Sequence, residues 1–294
     1  MSTLKKYYRK PSLYIPLPSG LHFYNEDFFG EDDLSSMNEV GILPMTTMNE
    51  LMLKNPEALL NGTAIEELIK DSTTLKNVNI RKLVKSDIDA LLVGIRIASQ
   101  GDIQELELKC PKCEHEATYN RDLKQILNNI KPHKEKYVVE PTNMDGLKIY
   151  LRPSSFEDSL ILESHAFEEQ KKISQIRKNL AQLTSEKEIE EDDEIRFMTS
   201  IHEIFKDLTI NTMEVYSRCI DKIVVEDEIE TDKEEIYEWL KQIDSKTFNM
   251  IRDELQEINS LGLESYEDIK CVECEHVWQY PLDTNPTDFF GTGS

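Results

Sequence analysis

The 294 residues include 10 glycines, and no arrangement of them makes a phosphate-cradling loop. No G-x4-G-K-[ST], no G-x-G-x2-G, no H-E-x2-H and no G-x-S-x-G occurs, so the nucleotide, dinucleotide, metalloprotease and serine-hydrolase signatures are all missing. Long hydrophobic runs are also missing. None approaches the ~20 apolar residues that a membrane-spanning helix needs. Positive charge is scarce: 34 Lys and Arg face 57 Asp and Glu, a net charge of −23. Phosphate binding is dominated by Lys and Arg, so this balance opposes a broad nucleic-acid surface and adsorption to anionic membranes. Two small basic clusters, Lys5, Lys6, Arg9 and Lys10, and Lys131, His133, Lys134 and Lys136, read as solvated surface. The six histidines, His22, His115, His133, His165, His202 and His276, are scattered without ligand spacing. The residues give no nucleophile–base constellation, and no enzyme is expected.

Cysteine is rare too, but four of the five are arranged. Lys109-Cys110-Pro-Lys-Cys113-Glu114-His115 is followed by Tyr119, and Lys270-Cys271-Val-Glu-Cys274-Glu275-His276 by Tyr280. Both read Lys-Cys-x-x-Cys-Glu-His-x-x-x-Tyr. Two C-x2-C units are what one tetrahedral zinc site requires, two soft thiolates from each of two tight turns. Four thiolates leave no open position for water or substrate, so a structural role is expected: one zinc per chain on Cys110, Cys113, Cys271 and Cys274. The alternative is two unrelated pairs of buried or redox-active thiols. A thioredoxin-type motif, with one C-x2-C opening a helix, fits a matched pair poorly. Cys219 falls in an apolar helical stretch and reads as a small core residue.

The flanks predict strands. Ile103-Gln-Glu-Leu106-Glu-Leu108-Lys109 alternates apolar and polar residues, and Tyr266 to Lys270 and Val277 to Tyr280 flank the second pair. Each cysteine pair is thus expected at the tip of a β-hairpin, the two facing each other about a pseudo-two-fold axis. The predicted fold class is α+β, mostly helical: a zinc-ribbon-like four-cysteine clip joins two β-hairpins, with a long helical insertion between them.

Three parts are expected. Residues 1–45 form an extended N-terminal arm, because Pro11, Pro16 and Pro18 remove backbone donors. Residues 46–153 and 261–294 form the zinc-clipped α+β body. There, Thr47-Met-Asn-Glu50 reads as a capping box, and a helix opened by Ser86-Asp-Ile-Asp89 and apolar nearly all round reads as the buried one. Lys136 to Val139 and Leu147 to Leu151 read as a hairpin. Residues 154–260 form the helical insertion, opened by Ser154 and Ser155, with two antiparallel helices joined by an acidic tip at 186–194. Ile173, Ile176, Leu180 and Leu183, then Met198, Ile201, Phe205 and Leu208, mark their apolar faces. Leu13, Tyr14, Ile15 and Leu17 in the arm, and Phe289 and Phe290 in the tail, are apolar in terminal segments, where apolar residues are costly to expose. They are the candidate partner-binding residues.

Several segments in this order carry a resemblance: Ile15-Pro-Leu-Pro-Ser-Gly-Leu-His-Phe-Tyr24, Pro44-Met-Thr-Thr-Met-Asn-Glu50 with Leu60-Asn-Gly62, Leu91-Leu-Val-Gly-Ile-Arg-Ile-Ala-Ser99, the two Cys-x-x-Cys units and the Phe-Phe tail. Together, over residues 13–120 and 265–294, they resemble the baseplate hub subunit and hub-assembly proteins of T-even-type contractile-tailed bacteriophages. The resemblance implies a non-enzymatic role in hub assembly, as an incorporated subunit or an assembly chaperone. The implied partners are baseplate hub or tape-measure proteins, with neither nucleic acid nor membrane. The implied location is the host cytoplasm during assembly and the virion tail baseplate. The competing expectation is a zinc-ribbon adaptor that binds nucleic acid or a transcription complex. The start of the chain lacks an apolar signal-type segment, and a reducing cytoplasm is the expected place of synthesis.

Overall fold

A computed structural model describes residues 7–186, 199, 206, 209–226, 228–282, 284, 289 and 290, with backbone alone over 175–186. The chain divides into two compact units, Met1–Lys136 with Gln256–Ser294, and Tyr137–Leu255.

The first unit is organised by one helix. Strands β1 (Leu13–Pro16) and β2 (Glu39–Ile42) pair antiparallel, Leu13 opposite Ile42. Short helices α1 (Thr47–Met52) and α2 (Pro56–Leu60) precede α3 (Thr63–Ser72) and α4 (Lys85–Gln100). As its composition predicts, α4 is the buried helix: Ala90, Leu91, Leu92, Val93, Ile95 and Ile97 are all interior. Each such side chain contributes ~1.5–3 kcal/mol on burial. Gly94 lets the sheet close on this helix, since a Cβ there would stand 3.2 Å from Ile15 Cδ1 and 3.3 Å from Ile42 Cγ1. The extended arm thus packs its apolar side chains Ile15 and Leu17 into the unit's own core.

Two starts differ from expectation. The box at α1 is Thr46 with Asn49, not Thr47 with Glu50. Asn49 N–H donates to Thr46 Oγ1 at 3.2 Å and Thr46 N–H to Asn49 Oδ1 at 2.8 Å. Asn49 is buried and its Nδ2 also donates to Asp71 (3.1 Å), an inward bond that the exposed Glu50 does not make. Helix α4 begins at Lys85 after Val84, which has no capping side chain. The Tyr24 hydroxyl takes the Val84 N–H (2.8 Å) and donates to Asp87 (2.5 Å), which also accepts from Ser19 N–H (2.8 Å). Those bonds serve a wholly buried carboxylate, which burial raises to about 6.

After Gly101, β3 (Ile103–Lys109) and β4 (Glu116–Asp122) form the first hairpin, in register from Ile103–Asp122 to Lys109–Glu116. Asp122 then caps α5 (Leu123–Asn128) by accepting from the N–H groups of Lys124 and Gln125.

The second unit holds β5 (Tyr137–Val139), β6 (Leu147–Leu151), α6 (Phe156–Glu186), α7 (209–219), β7 (Ile220–Val225), β8 (Glu228–Glu230), α8 (Lys233–Leu240) and most of α9 (Ser245–Asn259). Its sheet is antiparallel in the order β5-β6-β7-β8. Residues 137–153, expected in the body, belong here because β6 pairs with β7, Ile149 opposite Ile223. Ser155 and Asp158 cap α6 reciprocally, Ser155 N–H to Asp158 (2.9 Å) and Asp158 N–H to Ser155 Oγ (3.2 Å). The buried Asp158 also accepts from Arg152 (3.0 Å) and Arg218 (2.6 Å). Burial alone would raise its pKa. The two guanidiniums and Ser155 outweigh that and hold it below the usual carboxylate range. Cys219 is a buried core thiol, raised by burial. The expected acidic tip, apart from Glu186, and Met198, Ile201, Phe205 and Leu208 lie outside the described residues.

The chain returns to the first unit along α9, then forms β9 (Tyr266–Lys270) and β10 (Val277–Pro281), antiparallel with Lys270 opposite Val277. Among the described residues no helix is long and apolar enough to cross a membrane.

Candidate metal centre

The two cysteine pairs sit at the turns of β3–β4 and β9–β10, and both turns are built the same way. Cys110 N–H donates to His115 O (2.9 Å) and Cys271 N–H to His276 O (2.8 Å). Glu114 N–H donates to Cys110 O (2.9 Å) and Glu275 N–H to Cys271 O (3.1 Å). Glu114 and Glu275 take φ of 60° and 55°, the left-handed conformation that bends the chain back under the sulfurs. Lys109 pairs with Glu114 (3.5 Å) and Lys270 with Glu275 (3.3 Å) across the base of each turn. The repeated eleven-residue pattern is thus a repeated structure.

The turns bring the four sulfurs within 4.8 Å of one another. Cys110 Sγ lies 3.8 Å from Cys274 Sγ and Cys113 Sγ 3.7 Å from Cys271 Sγ. First meets second in both contacts at nearly equal distance, which is consistent with a two-fold relation between the turns. A tetrahedron of thiolates with ~2.3 Å metal–sulfur bonds has edges of about 3.8 Å. The spacing and the soft donor set both fit a four-coordinate ion, and the distances are too long for disulfides.

Cys271 is lowered to about 6, first by the N–H of Cys274 and also by that of Glu273, both aimed at its sulfur. Cys113 receives the N–H of His115, yet desolvation and the neighbouring thiols push it up to about 12. Four thiolates this close repel, and a cation among them would offset that repulsion. His115 and His276 contribute no ligand atom to the cluster. They are half-buried, and the His276 ring stacks on Trp278 at 6.4 Å between centroids.

A residue that motif reading missed joins the hairpins below the cysteines. Arg121 on β4 is buried. It pairs with Glu267 on β9, donates to Pro281 O (3.0 Å) and lies 5.5 Å from the Tyr280 ring centroid. Tyr119 meets Trp278 edge-on at 5.9 Å. The signal was strand alternation: Ala117, Tyr119 and Arg121 share the inward face of β4, and Glu267 and Ile269 that of β9.

The six expected partner residues are not one surface. Ile15, Leu17, Phe289 and Phe290 are interior, Leu13 is half-buried and Tyr14 is 51% exposed. Phe289 lies 5.5 Å from the Arg96 guanidinium, and Gln100 Nε2 donates to Phe290 O (3.1 Å), so both phenylalanines dock on α4. Leaving two adjacent aromatic rings in water is costly, and the tail resolves that cost within its own unit. Those four side chains are therefore core, and the expectation that they face a partner is corrected.

A family model described as T4 bacteriophage base plate protein matches residues 36–291, and the chain belongs to that family. No curated protein and no solved structure gives a significant match. Membership gives a structural place in the phage baseplate, part of the virion tail, with other baseplate proteins as partners.

Proposed function

We propose that this chain is a non-enzymatic protein of the baseplate hub, a subunit of it or a factor in its assembly, whose first unit is held shut by one structural zinc on Cys110, Cys113, Cys271 and Cys274. The observation that carries the reading is the family match over 36–291, which spans both cysteine pairs. The metal would supply a rigid tetrahedral cross-link and no chemistry at a substrate. The chain's own residues do the rest. Their backbone N–H groups favour thiolates, the left-handed Glu114 and Glu275 turn the sulfurs inward, and Arg121 with Glu267 aligns the hairpins. Joining positions 158 apart removes roughly 5 kcal/mol of unfolded-state entropy on the cross-link model. Hub or tape-measure proteins are the proposed partners, met in the host cytoplasm during assembly. Tyr14 and Leu13 are the arm residues left to meet them. The ribbon-adaptor alternative has no support from the family match and runs against the charge of −23.

Quantitative mass spectrometry of purified virions and of assembly intermediates tests this. A subunit is present in both, and an assembly factor only in the intermediates. Absence from both contradicts the proposal.

A further inference from the structure

One buried charge on α4 is unpaired. Arg96 is 8% exposed, and its Nε and Nη1 are shut off from water without a hydrogen-bond acceptor. Among the described residues no carboxylate pairs with it, in a chain that carries 57 Asp and Glu. The other described arginine side chains are satisfied. Arg81, Arg121, Arg152, Arg218 and Arg252 meet carboxylates, and Arg9 donates to the carbonyls of Pro44 and Asp71. Burial accordingly lowers the Arg96 guanidinium from its ordinary pKa, and no negative group opposes the shift. The Phe289 ring, 5.5 Å away, gives a cation–π contact, which returns only part of the hydration that a buried ion loses. Buried polar groups are almost always paired, so this one calls for an acceptor.

Nη2 is the guanidinium nitrogen left in touch with solvent. One of its N–H groups and the Nε–H lie on the same side of the planar group, the fork that takes both oxygens of a carboxylate. Leu92 and Val93, one turn back on α4, and Phe289 are all interior, and such apolar surroundings strengthen an ion pair once it forms. A phosphate would call for further donors, but Gln100 Nε2, one turn on, is already taken by Phe290 O (3.1 Å).

We propose that Arg96 anchors a binding socket for a carboxylate, an Asp or Glu side chain of a neighbouring baseplate protein, with Phe289 as its aromatic wall. Repulsion from the net charge of −23 is screened beyond roughly 8–10 Å in physiological salt. A single uncompensated cation on such a chain fixes where an acidic side chain can dock, which sets register more than affinity. The socket stands on Arg96 alone. Its assignment to a baseplate partner rests on the family membership and goes beyond the hub reading.

The test begins with the full chain and Arg96→Met, which keeps the apolar stem and removes the charge. Without a partner, losing an unpaired buried ion should leave the melting temperature equal or higher. A clearly lower one makes Arg96 a structural cation and overturns the proposal. Next, the parent chain with 15N-labelled arginine is titrated with sodium acetate, with sodium chloride at equal ionic strength as reference. The Arg96 Nε–H resonance, assigned by its absence from Arg96→Lys, should shift saturably with acetate. A response no larger than that to chloride overturns the socket, and a larger response to sodium phosphate than to acetate overturns the protein source. Last, parent and Arg96→Met are each supplied to a phage that lacks the chain, and baseplates are counted by electron microscopy. Baseplates should be lost with the variant although it melts no lower than the parent. Normal baseplates overturn the partner assignment. Absence of the parent chain from both virions and assembly intermediates would sink the hub reading and leave the acetate result standing.

Discussion

Arg121 and Glu267, 146 positions apart, form an ion pair between β4 and β9 in which the guanidinium side chain is only 3% exposed. With the sulfurs at the tips and this pair below, the hairpins are joined at two levels. Arg121→Ala leaves the carboxylate and Pro281 O without their donor. Glu267 is about a third exposed, so the cost should fall to about 2 kcal/mol, short of the ~3–5 kcal/mol of a fully buried broken pair. Urea denaturation of the variant measures it, and an unchanged midpoint would show that the pair does not hold the hairpins.

Phe289→Ala should destabilise the first unit by ~3–4 kcal/mol, because the ring is 1% exposed and its removal leaves a cavity beside Arg96. Thermal denaturation checks this. A variant that melts like the parent would return the tail to the list of partner-binding segments.

Asp87 gives a pH dependence of defined sign. Its folded pKa is raised to about 6 against an ordinary 3.8, so the folded state favours the neutral acid. Stability from this group is full below about pH 4 and is lost as pH rises through 6, a fall of roughly 3 kcal/mol. Asp158 acts oppositely. Its lowered pKa stabilises at neutral pH and is lost in acid. The quantity to measure is therefore the difference in stability between Asp87→Asn and the parent from pH 4 to 7. It should change by about 3 kcal/mol in favour of the variant as pH rises. A flat difference would contradict the buried-carboxylate account.

Asp158→Ala removes the carboxylate from Arg152, leaves Arg218 with Glu157 alone, and removes the cap from α6. A loss of about 3 kcal/mol is expected. Hydrogen exchange should show lost protection in the first turn of α6, with α4 unaffected. Equal loss in both helices would mean that the effect is not local.

Much of this was legible in the sequence because the signals were local. Two identical Lys-Cys-x-x-Cys-Glu-His patterns fold into two like turns, and the apolar run at 90–97 is a buried helix. What was not legible depended on distant partners. Residues 137–151 read correctly as a hairpin, but only the later strand at 220–225 decides which unit holds it. Pro16 and Pro18 marked an extended arm but not its docking place, which Gly94 sets by opening a gap on α4 that Ile15 fills. At α1 the motif rule chose Thr47 and Glu50, but the inward bond from Asn49 to Asp71 selects a box one residue earlier. Arg121 was hidden among 34 basic residues, and strand alternation alone marked it as inward.

The metal clip is the central claim, and its most direct measurement is elemental analysis of protein purified without chelator, alongside Cys271→Ser. One zinc per chain in the parent, falling to near zero in the variant while far-UV helicity stays, is the expected result. A parent chain that carries no metal yet keeps both hairpins ordered would contradict it.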